Sequence, residues 1–171
     1  MQELLDAIEH DSLPKIKKLL EQKNYNLNEE VAIGQEYDLD EYDEIALLFY
    51  LVQKNASPEA IELLIKSGMD ITYTNREGLS VIDIAIKYKR KDIIHLAKER
   101  GIDLTSTQRK SGLTPLMLAA SFNDTEMMEF LISLGANPKE KDRYGMSALD
   151  YAKKMGQKKS VSFLENFKSE I

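Results

Sequence analysis

The sequence predicts an all-α protein, a solenoid built from short helix–turn–helix units. Two short motifs each recur every 33 or 34 residues along the chain, and the apolar residues between them follow helical spacing. A pair of helices this short cannot bury its apolar face alone. We therefore expect successive pairs to stack, so that the whole array is the folding unit.

The first motif marks helix ends, with an apolar pair followed by a glycine and then by Asp or Asn. The glycines are Gly68, Gly101 and Gly135, and Asn24 takes the glycine's place in a degenerate first copy. Glycine commonly follows a helix in the left-handed conformation, and asparagine can do the same. We expect a helix to end at each of these four positions.

The second motif marks helix starts, with a glycine followed two residues later by Ser or Thr. Such hydroxyls accept hydrogen bonds from the first N–H groups of a helix. Pro115 then stands at a first helical position, where its missing N–H costs nothing. The three copies are Gly78-x-Ser80, Gly112-x-Thr114 and Gly145-x-Ser147.

Together these residues resemble the ankyrin repeat. The best copy runs from Gly112 through Thr114-Pro115-Leu116 and Ala119-Ala120 to Gly135-Ala136-Asn137. The resemblance covers 38–171 by motif and 1–37 by pattern alone. It implies one domain over 1–171, with repeats at about 1–36, 37–74, 75–108, 109–141 and 142–171.

The sequence departs from the family where a histidine usually follows the leucine of the first helix. Asp83, Met117 and Asp150 occupy those positions. The family's Thr–His hydrogen bond is therefore absent, and we expect modest stability.

The period breaks between Asn24 and Gly68, which are 44 residues apart. Most of the extra residues fall in 28–44, a segment with eight acidic residues and no Lys or Arg. In an ankyrin array it becomes an elongated acidic first finger. It is either a solvated insertion or a contact loop for a basic partner; a calcium site is disfavoured because the EF-hand glycine and terminal Glu are missing. The contact candidates are Tyr37, Asp38, Asp40, Glu41, Tyr42 and Asp43.

The resemblance also implies binding through finger tips and the concave face of the first helices. Two apolar lines are expected there, one of Leu79, Leu113 and Met146 and one of Tyr88, Phe122 and Met155. They either form an exposed patch for a partner or pack on the loop of the next repeat. The finger residues proposed to join them are Arg76, Lys110, Arg143 and Tyr144.

Charge and composition exclude several classes. A net charge of −6 and a pI of about 5.1 disfavour nucleic acid, although the basic run 87–91 leaves RNA as a weak alternative. The chain has no cysteine, which removes disulfides and thiolate chemistry. We see no signal peptide and no stretch that could span a membrane, and we expect a cytoplasmic protein.

Catalytic motifs are missing, and both histidines, His10 and His95, fit structural roles in helical patterns. We predict a monomeric, non-enzymatic protein-interaction module without cofactor or metal. One version resembles bacterial immunity or inhibitor proteins that neutralise a basic enzyme. The alternatives are an accessory factor for an enzyme such as catalase, aiding its haem loading, and a small-molecule or metal-binding protein.

Overall fold

A computed structural model describes the backbone of residues 1–33 and 43–169 and the side chains of 1–31 and 45–167. Ten helices and two short strands occupy these residues, which confirms the predicted all-α ankyrin-type fold. The helices are α1 Gln2–Glu9, α2 Leu13–Gln22, α3 Leu47–Gln53, α4 Pro58–Lys66, α5 Val81–Lys87, α6 Lys91–Glu99, α7 Pro115–Ser121, α8 Thr125–Ser133, α9 Ala148–Lys154 and α10 Lys158–Ser169. The strands are β1 Glu30–Ile33 and β2 Asp43–Ala46.

The chain divides into two compact units, Met1–Tyr73 and Thr74–Ile171. We call them the N-terminal and C-terminal units. The repeat boundaries and the single domain expected from the sequence stay predictions.

In the C-terminal unit, each first helix packs against the second helix of its own pair. The first helices α5, α7 and α9 also pack side by side. The core between them is almost wholly aliphatic: Ile86, Ala119 and Ala152 are fully buried. This burial supplies the driving force that a single pair lacks.

The predicted helix starts are confirmed at Thr114 and Ser147, whose hydroxyls accept hydrogen bonds from Met117 N and Asp150 N, each at 3.3 Å. Ser80 is also an N-cap, but its hydroxyl donates to Asp83 Oδ2 instead. Asp83 and Asp150 thus occupy the third helical position of a capping box and accept from the N-cap backbone N–H, each at 2.8 Å. Asp83 and Asp150, which replace the family's histidine, therefore still cap the start of the helix.

The predicted helix ends are confirmed at Gly68, Gly101 and Gly135, which have φ of 107°, 77° and 103°. The helix end at Asn24 is also confirmed in position, because α2 ends at Gln22, two residues before Asn24, as α4 ends two residues before Gly68. The left-handed conformation is not: Asn24 has no positive φ, and the C-cap Lys23 is extended, with φ −131° and ψ 139°. Because the chain leaves this helix in an extended conformation, no left-handed residue is needed to end it.

In the N-terminal unit, the segment expected to be a finger loop is strand-paired at both of its ends. β1 and β2 form an antiparallel ladder in which Val31 faces Ile45 and Ile33 faces Asp43. β-branched residues favour such a ladder, and the buried Val31 side chain anchors it. Asn28, just before β1, accepts from Asp70 N at 2.7 Å and donates to Gly68 O at 3.0 Å.

Candidate protein-binding surface

Three large apolar side chains of the C-terminal unit are exposed at equivalent positions. Tyr88, Phe122 and Met155 are the C-cap residues of α5, α7 and α9, with exposed fractions of 37%, 37% and 57%. We call them the apolar column. The sequence left open whether these residues are exposed or pack on the loop of the next repeat, and the structure shows them exposed; their role in binding stays a prediction.

The second predicted apolar line is not an exposed patch. Leu113 is buried, and Leu79 and Met146 are only half-exposed. The N–H groups of Leu79 and Met146 donate to Asn75 Oδ1 and Asp142 Oδ1, both at 2.9 Å. Leu113 N donates instead to Ser111 Oγ at 3.3 Å. The sequence left open whether this line is exposed or packed, and for Leu113 the structure excludes solvent exposure.

The finger tips carry a second set of exposed residues. Arg76, Lys110 and Arg143 stand two residues before the finger glycines, and all three are exposed. Tyr144 is the most exposed large hydrophobic residue of the described part of the chain, at 76%. We call the three basic residues the cation column.

Backbone hydrogen bonds hold neighbouring fingers in register. Lys110 N donates to Glu77 O at 3.2 Å, and Arg143 N donates to Ser111 O at 2.9 Å. Gly78 lies against Gln108, because a Cβ built on it would meet the Gln108 carbonyl oxygen at 1.9 Å. The finger residues are therefore presented from a hydrogen-bonded row rather than from independent loops.

Two buried carboxylates support these fingers. Asp83 Oδ1 lies 2.8 Å from Arg109 Nε, linking a first helix to the next finger. Asp142 accepts from Tyr151 Oη at 2.6 Å and from the N–H groups of Tyr144 and Met146. Sequence reasoning missed both contacts, since the partners lie in other elements.

The Asp142–Tyr151 contact shifts the ionisation of both groups. Burial opposes the charge on Asp142, but the bonds from Tyr151 and from the Met146 and Tyr144 N–H groups outweigh it and hold the pKa of this carboxyl below its usual value. Burial, together with the hydrogen bond to Asp142, raises the pKa of Tyr151 to about 12. At neutral pH the contact is therefore a neutral phenol donating to a carboxylate.

The second helices carry a different feature, a cavity of about 240 Å³ between α6 and α8. The exposed His95 ring lies beside Phe130, with centroids 5.5 Å apart. The cavity is lined by Lys91, Ile94, His95, Glu126, Met127 and Phe130.

Two of the four cations in the basic run 87–91 are paired locally. Arg90 is buried and pairs with Asp92 at 2.6 Å, and Lys91 pairs with Glu126. Phosphate binding at these two would have to break the pairs, which leaves Lys87 and Lys89 as the exposed cations of the run outside these two pairs.

Several predicted contact residues lie outside the described part of the chain: Tyr37, Asp38, Asp40, Glu41 and Tyr42. Asp43 is described only as the first backbone position of β2. Within the described residues, no group of three or more His, Cys, Asp or Glu could hold a metal ion. No helix of that part is long and apolar enough to cross a membrane.

A family model for ankyrin repeats, covering three copies, matches residues 101–170. The chain belongs to the ankyrin-repeat family. Over 122 residues, 69% of its length, it is 30% identical to the B-cell lymphoma 3 protein homolog of Mus musculus, and the match spans 27% of that protein. It is also 30% identical over 121 residues, 70% of its length, to ankyrin repeat protein nuc-2 of Neurospora crassa, of which the match spans 11%.

A further relative is named as an enzyme, the L-asparaginase of Dirofilaria immitis. It is 29% identical over 105 residues, 61% of this chain but 18% of the enzyme. This ankyrin-repeat chain thus spans about a quarter or less of the relatives that it matches. The family match supports a protein–protein interaction module.

Proposed function

We propose that this chain is a non-enzymatic, monomeric module that binds one protein partner through its C-terminal unit. The contact surface consists of the apolar column and the finger tips. The observation that carries the proposal is the repeated exposure of Tyr88, Phe122 and Met155, at the same position of three neighbouring first helices.

The exposure is selective, which supports a role beyond packing. In α7 every residue from Pro115 to Ala120 is buried, and exposure returns at Phe122. Aromatic side chains dominate the binding energy of protein interfaces because they bury a large area with few rotatable bonds. Two aromatic rings and one methionine at equivalent positions of three repeats offer a partner apolar contact area.

The acidic segment 28–44 is proposed as a second contact region, for a basic surface of the same partner. Its eight carboxylates would speed encounter with such a surface. This favours the inhibitor or immunity version of the function, in which the bound partner is a basic enzyme. Replacing Glu41 and Asp43 by lysine should then weaken binding, most of all at low salt.

A pull-down from lysate of the source organism tests the binding surface. The variant Tyr88→Ser/Phe122→Ser is compared with wild type, and Glu99→Ser/Glu129→Ser, exposed on α6 and α8, serves as the control. Circular dichroism first establishes that all three are folded. A partner retained by wild type and control but lost from the Tyr88/Phe122 variant supports the proposal. A partner retained by all three would place the binding site elsewhere.

A further inference from the structure

We infer that the C-terminal unit is built for an extended acidic segment of its partner, with a carboxylate at every third residue. This inference rests on the proposed function and adds the chemistry of the partner. It follows from the cation column, from the local pairing of nearby carboxylates, and from the spacing of the repeats.

The first step is the repetition of positive charge at one structural position. Arg76, Lys110 and Arg143 are 34 and 33 residues apart, so each repeat presents one cation at its finger tip. The Lys110 Nζ atom lies 3.5 Å from Oε1 of the exposed Glu77, so this cation has an ion-pair partner. Among the described residues, neither Arg76 nor Arg143 has a carboxylate within ion-pair distance. Arginine at such positions favours bidentate contact with a carboxylate.

The second step is the local pairing of the carboxylates around the column. Asp83 faces Arg109 and Ser80, Asp142 faces Tyr151, and Asp150 accepts from Ser147. Of these three carboxylates, Asp83 faces a cation, whereas Asp142 and Asp150 accept hydrogen bonds from hydroxyl and N–H groups. The C-terminal unit still has 17 Lys and Arg against 13 Asp and Glu, and its finger tips present the side chains of Arg76 and Arg143 without an ion pair to any described residue.

Three exposed acids of this unit, Glu99, Glu126 and Glu129, lie on the second helices α6 and α8. Others lie nearer the cation column: Glu77 is next to Arg76 and pairs with Lys110, and Glu140 precedes the third finger. Near the apolar column the exposed charges are basic again, with Lys87 next to Tyr88 and Lys154 next to Met155. The fingers and the ends of the first helices thus form a basic and apolar surface, to which an acidic segment is complementary.

The third step is spacing. Side-by-side helices lie about 8–10 Å apart, and α5, α7 and α9 pack in this way. A polyproline II segment rises about 3.1 Å per residue with three residues per turn, so its same-face side chains recur every 9 Å or so. One carboxylate per turn can thus face one finger cation per repeat. The exposed Tyr144 ring next to Arg143 suits the flat side of such a segment.

The test is a selection of 16-residue random peptides displayed on phage against the immobilised full chain. The variants are Arg76→Glu/Arg143→Glu and a control with the same charge change, Lys98→Glu/Lys159→Glu, at exposed sites on α6 and α10. We expect wild type and control to enrich peptides with Asp or Glu at every third position. In the Arg76→Glu/Arg143→Glu variant two attractive charge contacts become repulsive, which should lower the enrichment of these peptides at least about tenfold.

The outcomes separate this inference from the proposed function. Peptides without an acidic bias, or with acids repeating every seven residues as on a helix, would overturn the inference. If those peptides were still lost on Tyr88→Ser/Phe122→Ser, the proposed function would stand. Acidic peptides that are enriched equally on wild type and on the Arg76/Arg143 variant would also overturn the inference. The absence of any enriched peptide would count against both.

Discussion

The contact between neighbouring fingers allows a sharp test of how the repeats hold each other. Gly78 and Gly145 have nearly the same backbone conformation, with φ of 77° and 76°. A Cβ at Gly145 would meet nothing within 4 Å, whereas a Cβ at Gly78 would lie 1.9 Å from Gln108 O. Alanine at the two sites therefore separates backbone strain from the cost of pushing the fingers apart.

The magnitudes follow from these distances. Alanine in the left-handed region costs about 1–2 kcal/mol, which is the whole expected loss for Gly145→Ala. At Gly78 the new atom falls about 1.5 Å short of the 3.4 Å of ordinary contact, so the fingers must separate. That adds about 1–3 kcal/mol of overpacking and about 1 kcal/mol for the Lys110 N to Glu77 O bond. We expect Gly78→Ala to cost roughly 3–6 kcal/mol in total.

Urea unfolding followed by helical circular dichroism measures the difference, since both substitutions lie in the C-terminal unit. Gly112→Ala should fall between the two, because its Cβ would lie 3.3 Å from Arg143 N. Equal losses at Gly78 and Gly145 would show that the fingers do not pack as described and would refute the reasoning.

Three further substitutions test individual contacts. Asp83→Ala removes the capping carboxylate and the partner of Arg109, and should lower the free energy of unfolding by about 3 kcal/mol. The control Asp150→Ala, in the exposed capping box, should lower it by about 1 kcal/mol. Similar urea midpoints for the two variants would contradict the role of the ion pair. Lys89→Gly should stabilise by about 1 kcal/mol, because Lys89 has φ 56°, and a lower melting temperature would count against this. Tyr151→Phe should lower the free energy of unfolding at pH 8 but much less at pH 12. The pKa of Tyr151 is raised in the folded state, so its stabilising contribution is complete below the unfolded pKa of about 10 and is lost as the pH rises through about 12. A difference in urea unfolding that does not change with pH would exclude this titration.

The sequence predicted what each repeat does by itself. Glycine spacing located the left-handed helix ends at Gly68, Gly101 and Gly135, and the hydroxyl residues located the helix starts. It also placed Tyr88 and Phe122 at one equivalent position and left open whether that position is exposed or packed. These features depend on local backbone conformation, which a single repeat encodes.

What the sequence did not predict depends on contacts between elements. The sequence left open whether Leu113 is exposed or packed, because the fold of the finger around it decides this, and the structure shows it buried. The Asp83–Arg109 pair joins residues 26 positions apart, and a chain with many acids gives no signal for one such pair. Asn55, Lys89 and Asn123 have a left-handed backbone and lie 34 residues apart, so they are a periodic position like the two glycine motifs. Sequence reasoning missed it, because lysine does not indicate that conformation.

The division between buried and exposed positions bears on where partner specificity can reside. Side-by-side packing of the first helices buries nearly every side chain of α7, so those positions are constrained by the neighbouring repeats. Finger residues such as Lys110 and Arg143 contribute backbone N–H groups to the finger row and leave their side chains to solvent. Their side chains can therefore change with little effect on the core. If the proposed binding surface holds, we expect partner specificity to reside in the charge of the finger row and in the size of the C-cap side chains.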